Sequence, residues 1–333
     1  MMIRIARFRL LLITILLASA VSGCVTNDWA EKEQKEKDLI AAYVKDNGIT
    51  EDQKTENGIY FIEEVAGTGL SPKKDDFVVI NYIGRYIEDD RIHETSYDSL
   101  RSEWDNADTY KYFVYGPLKF EYGFSIAGIN EGLALMKEGG KAQLLIPSDK
   151  AFYDFNPMIY DIELLKVISN PAHDDSLVME KYLNQNGWDT ASTYYEKTGV
   201  YVKETYVENP NDDHYFQASD TLYFKYTGKL LDSYGPSVTE RVFDSNMQNE
   251  ETVKYVHGQQ SYEKGSFMLG FPQALRTSLD TLRFKSKATF VLPSIKAYSD
   301  KGLINSQYGY IIVPKFQTVV YDIEVVDLQI PSK

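Results

Sequence analysis

The chain has 333 residues, 43% of them apolar and 26 of them tyrosine, enough for two ordinary strand-rich domains each burying its own core. Lys and Arg total 35 against 49 Asp and Glu, a formal charge of −14, and no basic stripe interrupts the acidic balance. Nucleic acid is therefore excluded as the expected partner, since phosphate binding needs clustered cations, and solubility accounts for the acidity.

The first 23 residues read as a targeting segment. Arg4, Arg7 and Arg9 precede a short apolar run, Leu10 to Leu17, which is shorter than the ~20 residues a membrane span needs. Val21-Ser22-Gly23-Cys24 follows, and Cys24 is the single cysteine of the chain. This resembles the lipobox of bacterial lipoproteins, which implies lipidation at Cys24 and anchorage to an envelope membrane. With that thiol acylated, disulfides and cysteine–metal sites are excluded. Val25 stands where an Asp signals inner-membrane retention in that class, which leans the reading towards the outer membrane and leaves the leaflet open. The expected organisation is a signal peptide at 1–23, a lipid-anchored polar tether at 24–35, a first domain at 36–168, a linker at 169–175 and a second domain at 176–330.

Within the first domain, Asp38 to Gly48 has the pattern of an amphipathic helix ended by Asn-Gly. Strands are expected at 59–65, 76–86, 111–116, 141–147 and 159–167, with one helix from Ile126 to Glu138. Ser169-Asn-Pro-Ala-His-Asp-Asp175 reads as a linker, with His173 a solvated loop residue. The same run of elements then returns. Ser176 to Gly187 repeats the amphipathic helix, Gly199-Val-Tyr-Val-Lys-Glu repeats Gly58-Ile-Tyr-Phe-Ile-Glu, and Tyr223-Phe-Lys-Tyr-Thr-Gly228 repeats Val79-Ile-Asn-Tyr-Ile-Gly84. Lys254-Tyr-Val-His-Gly258 is matched to Lys111-Tyr-Phe-Val-Tyr-Gly116 with one residue fewer. Lys287 to Tyr298, with its Leu-Pro-Ser turn, repeats Lys141 to Phe152, and Val320-Tyr-Asp-Ile-Glu324 repeats Ile159-Tyr-Asp-Ile-Glu163. A period this long means two globular units, not a solenoid. Antiparallel strands with a single late helix make each an α+β domain.

The Tyr-x-Gly strand, the Phe243-Asp244-Ser245 turn, the single helix, the Pro-Ser…Ala-Tyr turn and the closing Tyr-Asp-Ile-Glu strand together resemble the FKBP-type peptidyl-prolyl cis-trans isomerases, over nearly all of residues 58–168 and 199–330. The resemblance implies a curved antiparallel sheet around one helix and an aromatic pocket for a prolyl side chain. It assigns Tyr226, Phe243, Asp244, Tyr298 and Tyr321 to the second pocket as catalytic residues, with Phe271, Leu275, Ile312 and Val313 lining it. Tyr298 is the expected donor to the substrate carbonyl, and Ile312 or Val313 the apolar tip of the flap. Leu275 replaces the tryptophan usual at the pocket floor. Pro272, in a gap-free register, replaces a residue whose backbone N–H binds substrate, and proline has no N–H. A shift by one would put Phe271 there.

In the first domain His93-Glu94-Thr95 replaces Phe-Asp-Ser, and His93 and Glu94 are read as loop or strand surface. Its vestigial pocket is assigned to Tyr82, Ile126, Ile129, Phe152 and Tyr160. Histidines at 93, 173, 214 and 257 show no metal spacing, and there is no P-loop or nucleophile elbow, so no metal or cofactor is expected. The leading functional expectation is a weak prolyl isomerase in the second domain, acting on proline-containing segments of exported polypeptides. The alternative is a non-catalytic binding or chaperone lipoprotein on the same fold.

Overall fold

Between Thr221 and Leu230 every second side chain is buried, the mark of a strand with one face on a core. The same alternation recurs along both halves of the computed structural model, which describes residues 28–103, 113–211, 213–248, 252–256 and 270–331. The expected lipidation at Cys24 and the expected signal peptide lie outside the described residues. In chain order the elements are helix α1 (28–46), strands β1 (Tyr60–Val65), β2 (Phe77–Tyr86), β3 (Ile92–Thr95) and β4 (Leu118–Glu121), helix α2 (Ala127–Leu135), and strands β5 (Lys141–Ile146) and β6 (Met158–Ile168). Helices α3 (Pro171–Gln185) and α4 (Thr190–Thr193) follow, then strands β7 (Tyr194–Tyr195), β8 (Val200–Val207), β9 (Thr221–Asp232), β10 (Thr239–Ser245) and β11 (Val253–Val256). Helix α5 (Gln273–Ser278), strand β12 (Ser286–Leu292), the hairpin β13 (Leu303–Ile304) and β14 (Ile311–Val313), and strand β15 (Val319–Gln329) complete the chain.

The first sheet has the order β1-β5-β6-β2-β3, with β4 also on β2. The second has β7-β8-β12-β15-β9-β10, with β11 also on β9. Apart from the short β7, one strand order is used twice, and the architecture is α+β. In the second sheet Phe224, Phe290 and Tyr321 are fully buried among Leu275, Leu279 and Leu282 from the α5 region. Each such side chain contributes about 1.5–3 kcal/mol by leaving water. The opposite face carries an outer helix: α3 lays Tyr182 and Leu183 against Leu231, Val291 and Val320. Likewise α1 lays Ile40, Tyr43 and Val44 against Tyr60, Leu145 and Ile159.

An acid on each outer helix secures the Pro-Ser turn beneath it. Glu36 accepts hydrogen bonds from the Ser148 backbone N–H (2.6 Å) and hydroxyl (2.8 Å). Asp175 accepts from the backbone N–H groups of Ser294 (3.2 Å) and Thr318 (2.5 Å).

By compactness the chain forms two units that do not follow the repeat. One comprises Met1–Pro72, Asn81–Asp105 and Gly123–Leu164; the other comprises Lys73–Ile80, Asn106–Tyr122 and Leu165–Lys333. No helix among the described residues is long and apolar enough to cross a membrane.

Three local expectations are corrected. Residues 28–35, expected as tether, are helical, because i,i+4 pairs such as Asp28–Lys32 and Glu33–Lys37 carry α1 back from its apolar stretch. Residues 171–175, expected as linker, form the first turn of α3. Asn170 is the N-cap, accepting from the His173 N–H at 3.1 Å, and Pro171 takes the first helical position, where its missing N–H costs nothing. The strand expected at 111–116 is not formed over 113–116; the strand is β4, from Leu118. Leu118 pairs with Ile80 as Val253 pairs with Phe224, so Lys119, not Lys111, is the counterpart of Lys254. Lys111 and Tyr112, whose sequence likeness to Lys254-Tyr255 misleads the match, lie outside the described residues.

Candidate functional site

Strands β9, β10 and β15 bring the second pocket together. Gly228 on β9 pairs with Tyr321 on one side and Asp244 on the other. A Cβ at Gly228 would stand 2.8 Å from Cζ of Phe243 and 3.0 Å from Cε1 of Tyr321, so the glycine of Tyr-x-Gly is what lets these rings close over the strand. Phe243 lies edge-on to Tyr321 at 5.8 Å and to Tyr298 at 6.5 Å. Phe271 lies edge-on to Tyr226 at 4.9 Å and to Tyr321 at 5.6 Å. Apart from Asp244, the residues assigned to the second pocket thus share one apolar cluster, with Tyr298 at its partly buried margin.

Two hydrogen bonds cross this cluster. The Tyr226 hydroxyl donates to Oδ2 of Asp244 at 2.6 Å, and the Tyr298 and Tyr321 hydroxyls stand 2.9 Å apart. Burial raises the Tyr226 and Tyr321 hydroxyls well above the usual phenol range, reinforced by the Asp244 charge beside Tyr226 and by the Tyr298 hydroxyl beside Tyr321. Burial also raises the Asp244 carboxyl above its ordinary value, against the hydrogen bond from Tyr226. These phenols stay protonated and able to donate at neutral pH.

The start of α5 settles the register left open by the sequence. Pro272 is its N-cap, with φ −51° and ψ 142°, as Ile126 is the N-cap of α2, with φ −60° and ψ 151°. The position equivalent to Ile126 is therefore held by a residue without an N–H, and Leu275, expected at the pocket floor, is 1% exposed. Phe271 fills the space between Tyr226 and Tyr321 with its own ring, leaving it only 5% exposed. Ile312 and Val313, one of them expected at the apolar tip of the flap, belong to the same apolar cluster. They lie on β14, the return strand of the β13–β14 hairpin, and are buried at 2% and 0%.

The first pocket is rewired. Gly84 again admits a ring, its Cβ position lying 2.6 Å from Cε1 of Tyr160. The hydroxyl of the buried Tyr160 donates to Oε1 of Glu94 at 2.7 Å. Glu94, expected on the surface, therefore faces inward; its extra methylene reaches the basal tyrosine, where the shorter Asp244 meets Tyr226. His93 packs on Phe152 at 4.9 Å, as Phe243 packs on Tyr298, and its Nδ1 stands 2.7 Å from the Tyr86 hydroxyl. Tyr82 and Ile129 are buried, Ile126 is half-buried, and Phe152 is 42% exposed. The signals for Glu94 and His93 were present in the sequence, at the places of Asp and Phe in Phe-Asp-Ser, but alternation on a strand argued against both facing one site.

A separate cleft of about 820 Å³ lies between α1 and the Pro147–Asp149 turn and includes none of the assigned pocket residues. Among the described residues no three His, Cys, Asp or Glu side chains gather as a metal centre requires.

A family model described as FKBP-type peptidyl-prolyl cis-trans isomerase matches residues 69–165 and 213–326, well over half of the chain. The chain belongs to that family. It carries the FKBP-type domain twice. It is 29% identical over 164 residues to an FKBP-type isomerase FkpA of Escherichia coli, a match covering 47% of this chain and 54% of that one. It is 31% identical over 160 residues to a probable FkpA of Neisseria meningitidis, covering 45% and 51%. The crystal structure of FkpA from Escherichia coli matches with a TM-score of 0.34 at 28% identity, over 43% of this chain and 63% of that one. The chain thus spans about half the length of the curated FKBP-type relatives it matches.

Proposed function

We propose that the second FKBP-type domain is a slow peptidyl-prolyl cis-trans isomerase acting on proline-containing segments of exported polypeptides. The observation that carries this is the gathering of Phe243, Tyr226, Tyr298 and Tyr321 in one buried cluster with Asp244 accepting from Tyr226. An X-Pro bond passes through a twisted amide about 18–20 kcal/mol above the planar form. Twisting reduces the charge separation of the amide, so a dry aromatic hollow favours the twisted form over the planar one. Tyr298, at the margin of the cluster, is the donor for the substrate carbonyl. With Pro272 at the helix start no backbone N–H supplements it from that position, which is why turnover is slow.

Pro272 and the inserted ring of Phe271 favour a second reading, a binding module that holds client chains without turnover. A protease-coupled assay of a proline tetrapeptide with the full-length chain separates the two. Acceleration over buffer is expected, falling about tenfold in Tyr298→Phe if one hydrogen bond of ~1.4 kcal/mol is lost from the transition state. No acceleration by the folded chain ends the enzymatic reading.

The domain boundaries proposed are 36–168 and 176–330. For location we propose a bacterial envelope lipoprotein held through acylated Cys24, in the outer membrane. Membrane fractions should lose the protein in Cys24→Ser, and retention of that variant would refute the lipid anchor.

A further inference from the structure

The connection before β4 is long in the first half, from Thr95 to Leu118, where the second half needs only the stretch from Ser245 to Val253. The end of that connection, residues 113–117, belongs to the second compact unit and lies on the second pocket. Val114, 9% exposed, is buried in the same apolar cluster as Phe243, Tyr310 and Ile312. Phe113 sets its ring edge-on to Tyr310, next to β14, at 5.6 Å. The backbone of the segment is held by one side chain. Arg241, two residues before Phe243 on β10, donates from Nη1 to the carbonyls of Val114 (3.4 Å) and Tyr115 (3.0 Å) and from Nη2 to that of Pro117 (3.1 Å). Asp232 fixes the guanidinium, with Oδ2 2.8 Å from Nε. Gly116 is left-handed at φ +115°, and a Cβ there would lie 2.7 Å from Cδ of Arg241, so the approach requires glycine.

Main-chain carbonyls on a fixed donor, with the neighbouring side chains of Phe113 and Val114 set against apolar surface, are a way in which a bound peptide is held. The held sequence, Phe113-Val-Tyr-Gly-Pro117, itself contains an X-Pro bond. We propose that residues 113–117 are a built-in strap that occupies a peptide subsite of the second pocket, so that extended proline-containing segments compete with it for Arg241. The proposal rests on reading that pocket as peptide-binding, and not on its turnover.

The test uses the full-length chain and a dye-labelled peptide of sequence Phe-Val-Tyr-Gly-Pro-Leu, read by fluorescence anisotropy. Gly116→Val drives a side chain into Arg241 and lifts the strap, which hydrogen exchange reads as faster exchange at 113–118. Peptide affinity should then rise about tenfold, the inverse of the fraction of chains in which the subsite is open. Adding Arg241→Ala should abolish the gain. Unchanged affinity with faster strap exchange overturns the proposal, as does a gain that survives Arg241→Ala. If Gly116→Val does not fold, the Phe113→Ser, Val114→Ser pair lifts the strap and carries the same expectations. Absent proline-peptide turnover with the affinity gain intact removes the isomerase reading and leaves the strap standing; turnover without the gain does the reverse.

Discussion

Counterpart positions in the two halves share a strand order but live in different surroundings. Lys119 and Lys254 occupy one register position on β4 and β11, yet Lys119 is 4% exposed and Lys254 is exposed. Glu94 and Asp244 occupy the same place after the pocket aromatic, and each takes a hydroxyl from a different tyrosine. The sheet topology tolerates such exchanges because backbone pairing fixes the frame; the chemistry of each pocket is set by which side chains the frame then confronts. Sharing a fold therefore does not give the two halves one function.

Lys119 offers the largest effect. Burial lowers its ammonium to about 8, against the attraction of Asp175, and its Nζ donates to the Phe316 carbonyl at 2.7 Å. Between pH 8 and about 10.5 the unfolded chain holds a proton the folded chain has released, so stability rises with pH across that window. Denaturant unfolding should show the difference between Lys119→Met and wild type changing by about 3 kcal/mol over it, in favour of the wild type as pH rises. Lys254→Met, at the exposed counterpart, is the paired control; a pH-independent difference for Lys119→Met would erase the contrast.

The glycines test what the halves hold in common. Gly84→Ala and Gly228→Ala each press a methyl into a tyrosine or phenylalanine ring, and each should cost about 2 kcal/mol of unfolding free energy, read by denaturant titration. A cost at one and none at the other would show that the two ring approaches are not equivalent.

Smaller effects sharpen the difference between pockets. Glu94→Ala and Asp244→Ala should each destabilise by about 1–2 kcal/mol, by leaving a buried phenol without its acceptor. Tyr160→Phe should cancel most of the Glu94→Ala cost, and Tyr226→Phe most of that of Asp244→Ala, in double-mutant cycles. Phe152→Tyr, at a site 42% exposed, should move stability by no more than about 0.5 kcal/mol. If that variant alone brings the first pocket measurable proline-peptide turnover, a missing hydroxyl separated the halves, not the rewired Glu94.

The repeat was legible because strand alternation and turn residues report local geometry: Tyr226, Phe243, Tyr298 and Tyr321 could be aligned with the family and do meet in one cluster. Helix α2 and its buried residues Ile129 and Leu133 followed from 3.6-residue spacing. What escaped were contacts between residues remote in sequence. Arg241 with the carbonyls of 114, 115 and 117, and Lys119 with Phe316, leave no periodic mark. Helix starts were misplaced where polar residues, in α1 and at Asn170-Pro171, read equally as loop or as first turn.

Asp175 reaches Ser294 with one oxygen and Thr318 with the other. The excursion between them carries Tyr298 and the β13–β14 hairpin, so a single carboxylate pins both feet of a long arch. An arch so pinned can bend at its crown while its span stays fixed, and the entropy of bringing its ends together is already spent in the resting fold. Tyr298, four residues from one foot, stands close to a fixed point of that arch.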